Sequence, residues 1–529
     1  MNRRQFLTAA SLAVASASAQ ALRAQNVNTD RDSSDWSDSR PTFETDDRQY
    51  QATYARALDV VRRNTTKLNT YAGPVLIEGS TYGGIWQECA PHEGLVYSLF
   101  HPDAARNNHL AFFSQQREDG QLPCWLRKDS VGFGQIQMVV PIAATAWELA
   151  QQTADSELLE RAYSNCSRWD GWLRRYRDTR HTGLCEGFCT YDTGHDNSPR
   201  WAGIPNRCPD ADARRCPPVA SLPRLCPDLS ATVYGARVAL AAMARALGRS
   251  AQADRWLTDA AAIQSAIMKE LYVPEDAAFY DLDSRDHFVR IRGDVIGRVL
   301  GEHVVDQKVF NQIYRRQIHN PSAFWTPYPL PSIALDDLRF VRPIPRNSWG
   351  GASQALTALR APRWMEHYGK AADLAYLMQQ WITAILRDPR FLQQLDPNTG
   401  IFTPDAGDYS PAALVFIDFT WRLSGVRQVG DELEWNLHPE ADKRCTFRVR
   451  VSPTAIAELR YAGREAIASI NGRTVCRSKQ TVRMVTDHRG SVRRAVGIAA
   501  VKTDVVLKSI FGKERRFTIL PSEIFELKT

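Results

Sequence analysis

Two aspartates four residues apart, Asp192 and Asp196, lie in the stretch YDTGHDNSPRW at residues 191–201. Gly, Asn, Ser and Pro surround them, and such turn-forming residues present short polar side chains from a loop. Arg200 and Trp201 follow directly. Cleavage of a glycosidic bond requires a carboxyl group that protonates the leaving oxygen, and a flat aromatic surface suits a sugar ring. The stretch therefore predicts a sugar-cleaving site or, from the same residue types, a capped turn.

The segment from residue 48 to 424 predicts a mainly α-helical domain that would position this loop. Apolar residues recur at three- and four-residue spacing in successive segments, with Pro, Gly or Asp between them. Such segments include residues 48–68, 138–152, 156–179 and 228–248. About a dozen helices joined by alternately short and long loops favour a double ring of helices over a simple bundle.

The pattern changes near residue 425. Short, β-branched segments alternate between apolar and polar residues, and turns such as Asn-Gly separate them. Several short strands at this spacing predict an antiparallel β-sandwich over residues 425–529. Acids and histidines do not cluster there, so we expect this domain to be structural and to pack on the helical part.

The first residues predict an export signal. Arg3 and Arg4 precede an apolar Phe-Leu pair and a run of Ala and Ser, which is typical of a twin-arginine signal peptide over residues 1–24. Residues 25–47 are polar and acidic and predict a leader. The mature protein is expected in the periplasm or outside a bacterial cell. No later apolar run is long enough to span a bilayer, so no membrane association is expected after cleavage.

Composition narrows the choice of partner. The net charge is +7 over 529 residues and no block of basic residues occurs, so a nucleic-acid partner is not expected. Fourteen tryptophans suit a carbohydrate-binding cleft, although protein cores use tryptophan too.

The ten cysteines all follow the predicted signal, and an even number in an exported chain favours disulfides. Five of them lie between residues 185 and 226, and Cys445 and Cys476 are candidates to pair with each other. The connectivity stays open. No paired CxxC motif occurs, so a zinc site is not expected. The Pro- and Cys-rich insert at residues 206–228 predicts a stapled loop that narrows access to a pocket.

Several stretches, in order, resemble the glycosidases built on an (α/α)6 barrel. The similarity is to glycoside hydrolase family 63 and its mannosylglycerate-hydrolase-like relatives, with trehalases more distant. Residues 191–201 resemble the family's Glu-Ser-Gly-x-Asp-Asn-Ser-Pro-Arg-Trp stretch. The other similar stretches are GGIWQEC (83–89), SQQREDGQLP (114–123), CPDLSATVYGARVAL (226–240), AFYDLD (278–283), NSWGG (347–351), DPNTG (396–400) and YSPAALV (409–415).

The resemblance implies an inverting hydrolase that acts on an α-linked glucoside or mannoside, with a carbohydrate as its partner and no metal or cofactor in the chemistry. It also implies that Asp196 is the general acid. We expect the pKa of Asp196 to be raised by burial or by a like charge, for which Asp192 is available.

The general base is the weak point of the resemblance. Where the family has a glutamate four residues before the Pro of its Asn/Asp-Pro-x-Thr-Gly motif, this chain has Gln393. An amide does not take a proton from water, so another carboxylate must act. The candidates are Asp408, Glu88 and Asp405.

Further residues are candidates for sugar binding. They are Trp86, Trp201 and Trp349 as stacking platforms, and Asp192, His195, Arg200 and Gln393 as polar contacts. Arg200 has the alternative of an ion pair with Asp192. Gln393 also favours a second function, a non-catalytic carbohydrate-binding protein on the same scaffold. A lyase or epimerase on a helical toroid would need a Tyr/His or paired-His arrangement, which the sequence does not offer.

Overall fold

The computed structural model describes residues 40–79, 81–509 and 514–527. The predicted signal peptide at residues 1–24, and the predicted leader as far as residue 39, lie outside them. Within the described part, no helix combines the length and the apolar character needed to cross a membrane.

Twelve α-helices lie in the described residues, all of them before residue 425. They are α1 (Arg48–Arg63), α2 (Ala90–Tyr97), α3 (Pro102–Ser114), α4 (Ile142–Thr153), α5 (Ser156–Tyr176), α6 (Pro227–Ala246), α7 (Ser250–Glu270), α8 (Val295–Gly301), α9 (Gln307–Ile313), α10 (Ala355–Met365), α11 (Ala371–Arg387) and α12 (Ser410–Ser424). The start signals are local. Asp47, Asp155 and Asp306 cap α1, α5 and α9 by accepting a backbone N–H of the first turn.

The even-numbered helices contact one another in cyclic order. Contacts run from α2 to α4, α6, α8, α10 and α12, and α12 contacts α2 again. Helices α1, α3, α5, α7 and α11 each contact even-numbered helices. Burial separates the two sets, since α12 buries 13 of its 15 residues and α7 buries four of 21. The even-numbered helices therefore form the interior of the helical part.

Short strands organise the loops between helices. They are β2 (Thr65–Leu68), β3 (Tyr71–Leu76), β4 (Gly84–Trp86), β5 (Trp125–Arg127), β6 (Val131–Gly132), β7 (Glu186–Gly187), β8 (Arg224–Leu225), β9 (Tyr272–Val273), β10 (Ala278–Phe279), β11 (Asp281–Leu282), β12 (Phe288–Val289), β13 (Ser353–Gln354) and β14 (Gln394–Leu395). Strand β13 pairs with β14. This pairing joins the loop before α10 to the loop before α12.

Two antiparallel sheets make up the C-terminal region. Their strands are β1 (Thr42–Thr45), β15 (Val426–Val429), β16 (Glu432–Leu437), β17 (Arg444–Ser452), β18 (Ala455–Ala462), β19 (Glu465–Ile470), β20 (Arg473–Ser478), β21 (Val482–Asp487), β22 (Val492–Val496), β23 (Thr503–Ser509), β24 (Glu514–Ile519) and β25 (Ile524–Glu526). The sheet orders are β1-β17-β18-β19-β20-β23-β24 and β15-β16-β21-β22-β25. Strand β16 contacts β19 of the other sheet and also α12. The predicted β-rich C-terminal region is thus confirmed.

Two sequence-based expectations differ from the structure. Residues 42–45, assigned to a polar leader, form β1 at the edge of the larger sheet, where the Phe43 ring lies 4.7 Å from that of Phe447. Cys445 and Cys476 lie on β17 and β20, with β18 and β19 between them. Three strand spacings amount to ~14 Å, too far for a disulfide, so that pairing is wrong.

Candidate active site

The loop that carries Asp196 runs from α5 to α6 and is fixed by its backbone. Gly194 and Asn197 have φ of 62° and 56°, which turn the chain on both sides of Asp196. The N–H of Trp349 donates to the carbonyl oxygen of Asp196 at 3.0 Å, and Asn197 Nδ2 donates to the carbonyl of Asn347 at 2.7 Å. The loop is therefore held against residues 347–349.

The Asp196 side chain is half-buried. Burial and the negative charge of Glu88 raise the pKa of its carboxyl to about 7, while a bond from Asn347 opposes them. That bond joins Asn347 Nδ2 to Asp196 Oδ2 at 3.1 Å. A carboxyl with a pKa near 7 keeps its proton in a large fraction of molecules at neutral pH, which a general acid requires.

Glu88 lies against the same loop. A Cβ added to Gly194 would be 1.5 Å from Glu88 Oε2, so a side chain at this position would displace the Glu88 carboxylate. Burial raises the pKa of Glu88, and the cations Arg360 and Arg298 act in the opposite direction. The like charge that raises the pKa of Asp196 is therefore that of Glu88 and not, as predicted, that of Asp192.

A chain of hydrogen bonds connects Asp196 to Gln393. Gln393 Nε2 donates to Asn347 Oδ1 at 3.0 Å, and the other end of the same amide binds Asp196. The Tyr82 hydroxyl donates to Gln393 Oε1 at 2.7 Å. The carboxamide of Asn347 is the only group between the Gln393 amide and the Asp196 carboxyl. These two groups are therefore no farther apart than ~9.5 Å, the upper limit for the separation of the two carboxyls in an inverting hydrolase. Gln393 is thus part of the site.

Asp192 belongs to a buried ion pair. Arg177 Nη1 donates to Asp192 Oδ2 at 2.5 Å, and both side chains are fully buried. The backbone N–H groups of Ile136 and Phe188 also donate to the Asp192 carboxylate, at 2.8 and 2.7 Å. With its oxygens occupied in this way, Asp192 holds the loop. Its assignment to substrate binding is wrong.

His195 and Arg200 form a second buried network. His195 Nε2 lies 2.5 Å from Asp294 Oδ1, and Arg200 Nη1 donates to His195 Nδ1 at 3.0 Å. Burial and Arg298 lower the pKa of His195 to about 4. Arg200 pairs with Asp228 at 2.7 Å and Asp281 at 2.6 Å, and not with Asp192. Neither side chain is free for a sugar, because its polar atoms are satisfied within the protein.

The three candidate tryptophans are all buried. Trp201 Nε1 donates to Thr193 Oγ1 at 2.9 Å, and guanidinium groups of Arg200 and Arg224 lie over its ring, so it is a packing residue. Trp86 and Trp349 pack together in a small cluster with Cys89 and Leu356. The half-buried aromatics against this cluster are Tyr82 and Trp125, which offer the surface that we expected of Trp86 and Trp349.

The two aspartates near α12 have different surroundings. Asp408 pairs with Arg56 at 3.1 Å and Arg63 at 3.3 Å, both on α1, outside the ring of even-numbered helices. Its carboxylate is directed to α1, which disfavours Asp408 as the base. Asp405 pairs with Arg346 at 2.8 Å. The pKa of Tyr82 is raised mainly by burial and to a lesser extent by nearby negative charges, one of which is Asp405. Because Tyr82 binds Gln393, Asp405 lies near the site.

Sequence reasoning missed Tyr82, Asn347 and Glu78. The Tyr409 hydroxyl donates to Glu78 Oε1 at 2.6 Å, and burial together with the charges of Glu93 and Glu88 raises the pKa of Glu78 well above its usual range. Asn347 begins the NSWGG stretch and Tyr82 precedes GGIWQEC. Both residues therefore lie in or next to stretches whose tryptophans were predicted to bind sugar.

Replacing Glu88 by Gln should move the alkaline limb of the pH–rate profile to lower pH. Asp196 must be protonated to act as an acid, and activity is lost as pH rises through its pKa. Removing the Glu88 charge lowers that pKa, so the loss begins earlier. The profile of kcat/KM on an α-glycoside measures the shift, with exposed Glu118→Gln as the matched control. An unchanged limb in Glu88→Gln would show that burial alone sets the pKa.

Known proteins share this architecture. The family model of the mannosylglycerate hydrolase MGH1-like glycoside hydrolase domain matches residues 82–411, more than half of the chain. No curated protein sequence matches the chain.

Solved structures agree in fold. The GH63 mannosylglycerate hydrolase of Thermus thermophilus in complex with glucose is 17% identical, with a TM-score of 0.58 over 70% of this chain and 100% of that one. Neutral trehalase of Saccharomyces cerevisiae is 13% identical, with a TM-score of 0.52 over 66% and 74% of the two chains. A sialidase is 16% identical, with a TM-score of 0.63 over 85% of this chain and 42% of that one.

Proposed function

Since this chain belongs to the mannosylglycerate hydrolase MGH1-like glycoside hydrolase family, we propose that it is an exported, inverting hydrolase of an α-linked glucoside or mannoside. The observation that carries the proposal is the Asp196 carboxyl, whose pKa is raised to about 7 by burial and by Glu88. The cyclic contacts of the even-numbered helices support an (α/α)6 toroid around it. Release of reducing sugar from a panel of α- and β-linked glucosides and mannosides tests the substrate class.

The reaction requires two groups on opposite sides of the sugar. Asp196 gives its proton to the glycosidic oxygen as the bond to the anomeric carbon breaks. A water molecule attacks that carbon from the other face and loses a proton to a carboxylate. Gln393 binds a sugar hydroxyl or the water through its amide, but it does not accept the proton. The product then has the opposite anomeric configuration to the substrate.

Asp405 is our choice for the carboxylate that activates water. Glu88 lies against the loop that carries Asp196 and raises the pKa of that acid. Asp408 faces α1. Asp405 lies in the loop that follows Gln393, and Tyr82 is close to both residues. The Tyr82 hydroxyl binds Gln393, and the charge of Asp405 contributes to the raised pKa of Tyr82. Arg346 gives the Asp405 carboxylate a counter-ion at 2.8 Å.

Asp405→Asn should lower kcat by ~10²–10⁴-fold, whereas Asp408→Asn, three residues further along the same loop, should leave kcat unchanged. Azide added to Asp405→Asn should restore turnover of an activated α-glycoside and give a β-glycosyl azide, because the anion attacks without a base. Equal activity in the two variants would exclude Asp405 as the base.

Gln393, which stands where the family has its general base, favours a second function, the binding of sugars without cleavage. A protein that binds sugars without cleaving them needs the pocket and not the base. Calorimetric binding of a glycoside by the wild-type chain, with no reducing sugar released from the same compound, would favour this function over hydrolysis.

Export and disulfide formation are also proposals. Transport of the folded protein with Arg3 and Arg4 both changed to Lys tests the twin-arginine signal. All ten cysteines lie in the described residues and none is in a disulfide in the structure. Cys189 Sγ and Cys208 Sγ are 3.8 Å apart, so this pair would tie the start of the insert at residues 206–228 to the loop before Asp196. Peptide mapping of the exported protein without reductant tests this pair.

A further inference from the structure

The two oxygens of the Asp196 carboxyl have different surroundings. Oδ2 accepts the Nδ2–H of Asn347 at 3.1 Å. Oδ1 has no hydrogen-bond partner among the described residues, and it is not a fully buried atom, so it is open to solvent. An oxygen that accepts an N–H is the carbonyl oxygen of a protonated carboxyl group. The acid proton of Asp196 therefore belongs on Oδ1, the oxygen that a substrate can reach.

The direction of the Asn347 amide decides which oxygen carries the proton. If this amide turned over, its Oδ1 would face Asp196 and accept the acid proton from Asp196 Oδ2. The proton would then lie between two protein groups and would not reach a leaving oxygen. The Asn347 backbone is held in place, because its φ is 45° and its carbonyl accepts Asn197 Nδ2 at 2.7 Å. The orientation of the side-chain amide is what must still be fixed.

Gln393 fixes that orientation. Its Nε2 donates to Asn347 Oδ1 at 3.0 Å, so a reversed Asn347 amide would place two NH2 groups face to face. The Gln393 amide is oriented in turn, since its Oε1 accepts the Tyr82 hydroxyl at 2.7 Å. The Tyr82 hydroxyl makes no other hydrogen bond to a described residue. All three bonds therefore run in one sense, from the Tyr82 hydroxyl to the Asp196 carboxyl.

An amide at position 393 is needed for this arrangement. An ionised glutamate, the residue type that the family has here, is an acceptor only and gives no hydrogen bond to Asn347 Oδ1. The backbone places the Gln393 side chain firmly, because the Gln393 carbonyl accepts the N–H of Ala355 at 3.0 Å and the next residue begins β14. Gln393 is buried, with 7% of its surface exposed.

We propose that Gln393 is a positioning residue, which acts through the Asn347 amide to keep the acid proton of Asp196 on Oδ1. The use of this proton in catalysis rests on the proposed hydrolytic function. Its position on the carboxyl is a property of the free protein and is measurable without a substrate.

Other titratable groups act on Asp196 through charge or respond to it. They are Glu88, Glu78, Tyr82 and Tyr191. Within the described part of the chain, none of these four makes a hydrogen bond to the Asp196 carboxyl. Burial and Glu88 raise the pKa of Asp196, and the bond from Asn347 opposes them. Loss of that bond should therefore raise the pKa of Asp196 further, because the bond favours the ionised form.

Gln393→Met removes the N–H donor and leaves the Asn347 amide free to turn. We expect the pKa of Asp196 to rise by ~0.5–1, which corresponds to one hydrogen bond. The carbon-13 signal of its carboxyl, assigned as the aspartate signal that is missing in Asp196→Asn, reports this pKa without a substrate. On an α-glycoside, kcat should fall and the alkaline limb of the pH–rate profile should move to higher pH. A merely structural Gln393 would lower kcat without raising the pKa.

Asn347→Gly is the matched background, because glycine accepts the φ of 45°. It should itself raise the pKa of Asp196, and Gln393→Met added to it should raise that pKa no further, since Gln393 acts through Asn347. Tyr82→Phe leaves the Gln393 amide without the donor that orients it, so its pKa for Asp196 should lie between those of wild type and Gln393→Met.

An unchanged pKa of Asp196 in Gln393→Met and in Tyr82→Phe would overturn the proposal. So would an equal rise on adding Gln393→Met to Asn347→Gly, because Gln393 would then act on Asp196 by another route. The expected pKa values in a protein that cleaves no glycoside would support the position of the proton and contradict the hydrolytic function.

Discussion

Asp196→Asn should lower kcat/KM for hydrolysis of an unactivated α-glycoside by ~10²–10⁴-fold. The amide has the shape of the carboxyl and keeps an oxygen for the bond from Asn347, so the loop should stay in place. What is lost is the proton that the leaving oxygen needs. Initial rates of sugar release, together with unchanged circular dichroism, measure the effect.

The leaving group separates this role from a general loss of structure. Fluoride leaves an α-glycosyl fluoride without being protonated. Asp196→Asn should therefore retain far more activity on the glycosyl fluoride than on an alkyl glycoside. Asp210→Asn, an exposed residue in the insert of the same loop, should behave as wild type on both substrates. An equal loss on both substrates in Asp196→Asn would mean that Asp196 is not the acid.

Asp192→Asn should destabilise the protein by ~3–5 kcal/mol, because removing one partner of a buried ion pair leaves the other charge uncompensated. The charge left behind is that of Arg177, which is fully buried. Urea unfolding measures the change as a lower midpoint. The catalytic loop depends on this pair, so activity should fall together with the folded fraction.

The matched control is Asp408→Asn. Asp408 also pairs with arginine, but its side chain is 29% exposed and that of Arg56 is 46% exposed. Solvent screens such a pair, so the change should cost no more than ~1 kcal/mol. A similar cost for Asp192→Asn would show that Arg177 finds other partners or water, and that the pair is not the element that fixes the loop.

The sequence predicted the type of fold because its signals are local. Apolar spacing defines the helices, aspartate caps start α1, α5 and α9, and β-branched alternation defines the C-terminal strands. Strand β1 was missed because four residues of a polar segment pair with a strand about 400 positions away. No local pattern carries that information.

The candidate site was predictable only in part, for the same reason. The DNSPRW stretch identified Asp196 through its place in an ordered set of motifs. The roles of Asp192, His195 and Arg200 depend on partners far along the chain, such as Arg177 for Asp192 and Asp294 for His195. In a loop rich in Gly, Asn and Pro, such residues look exposed until those partners are in place.

The proton NMR spectrum of the sugar at the moment of its release distinguishes an inverting from a retaining hydrolase. With an α-glucoside or α-mannoside that the enzyme cleaves, we expect the β-anomer to appear first and the α-anomer to grow in only by mutarotation. The α-anomer as first product would exclude an inverting mechanism, because it would require a nucleophilic carboxylate next to the acid instead of a base that activates water.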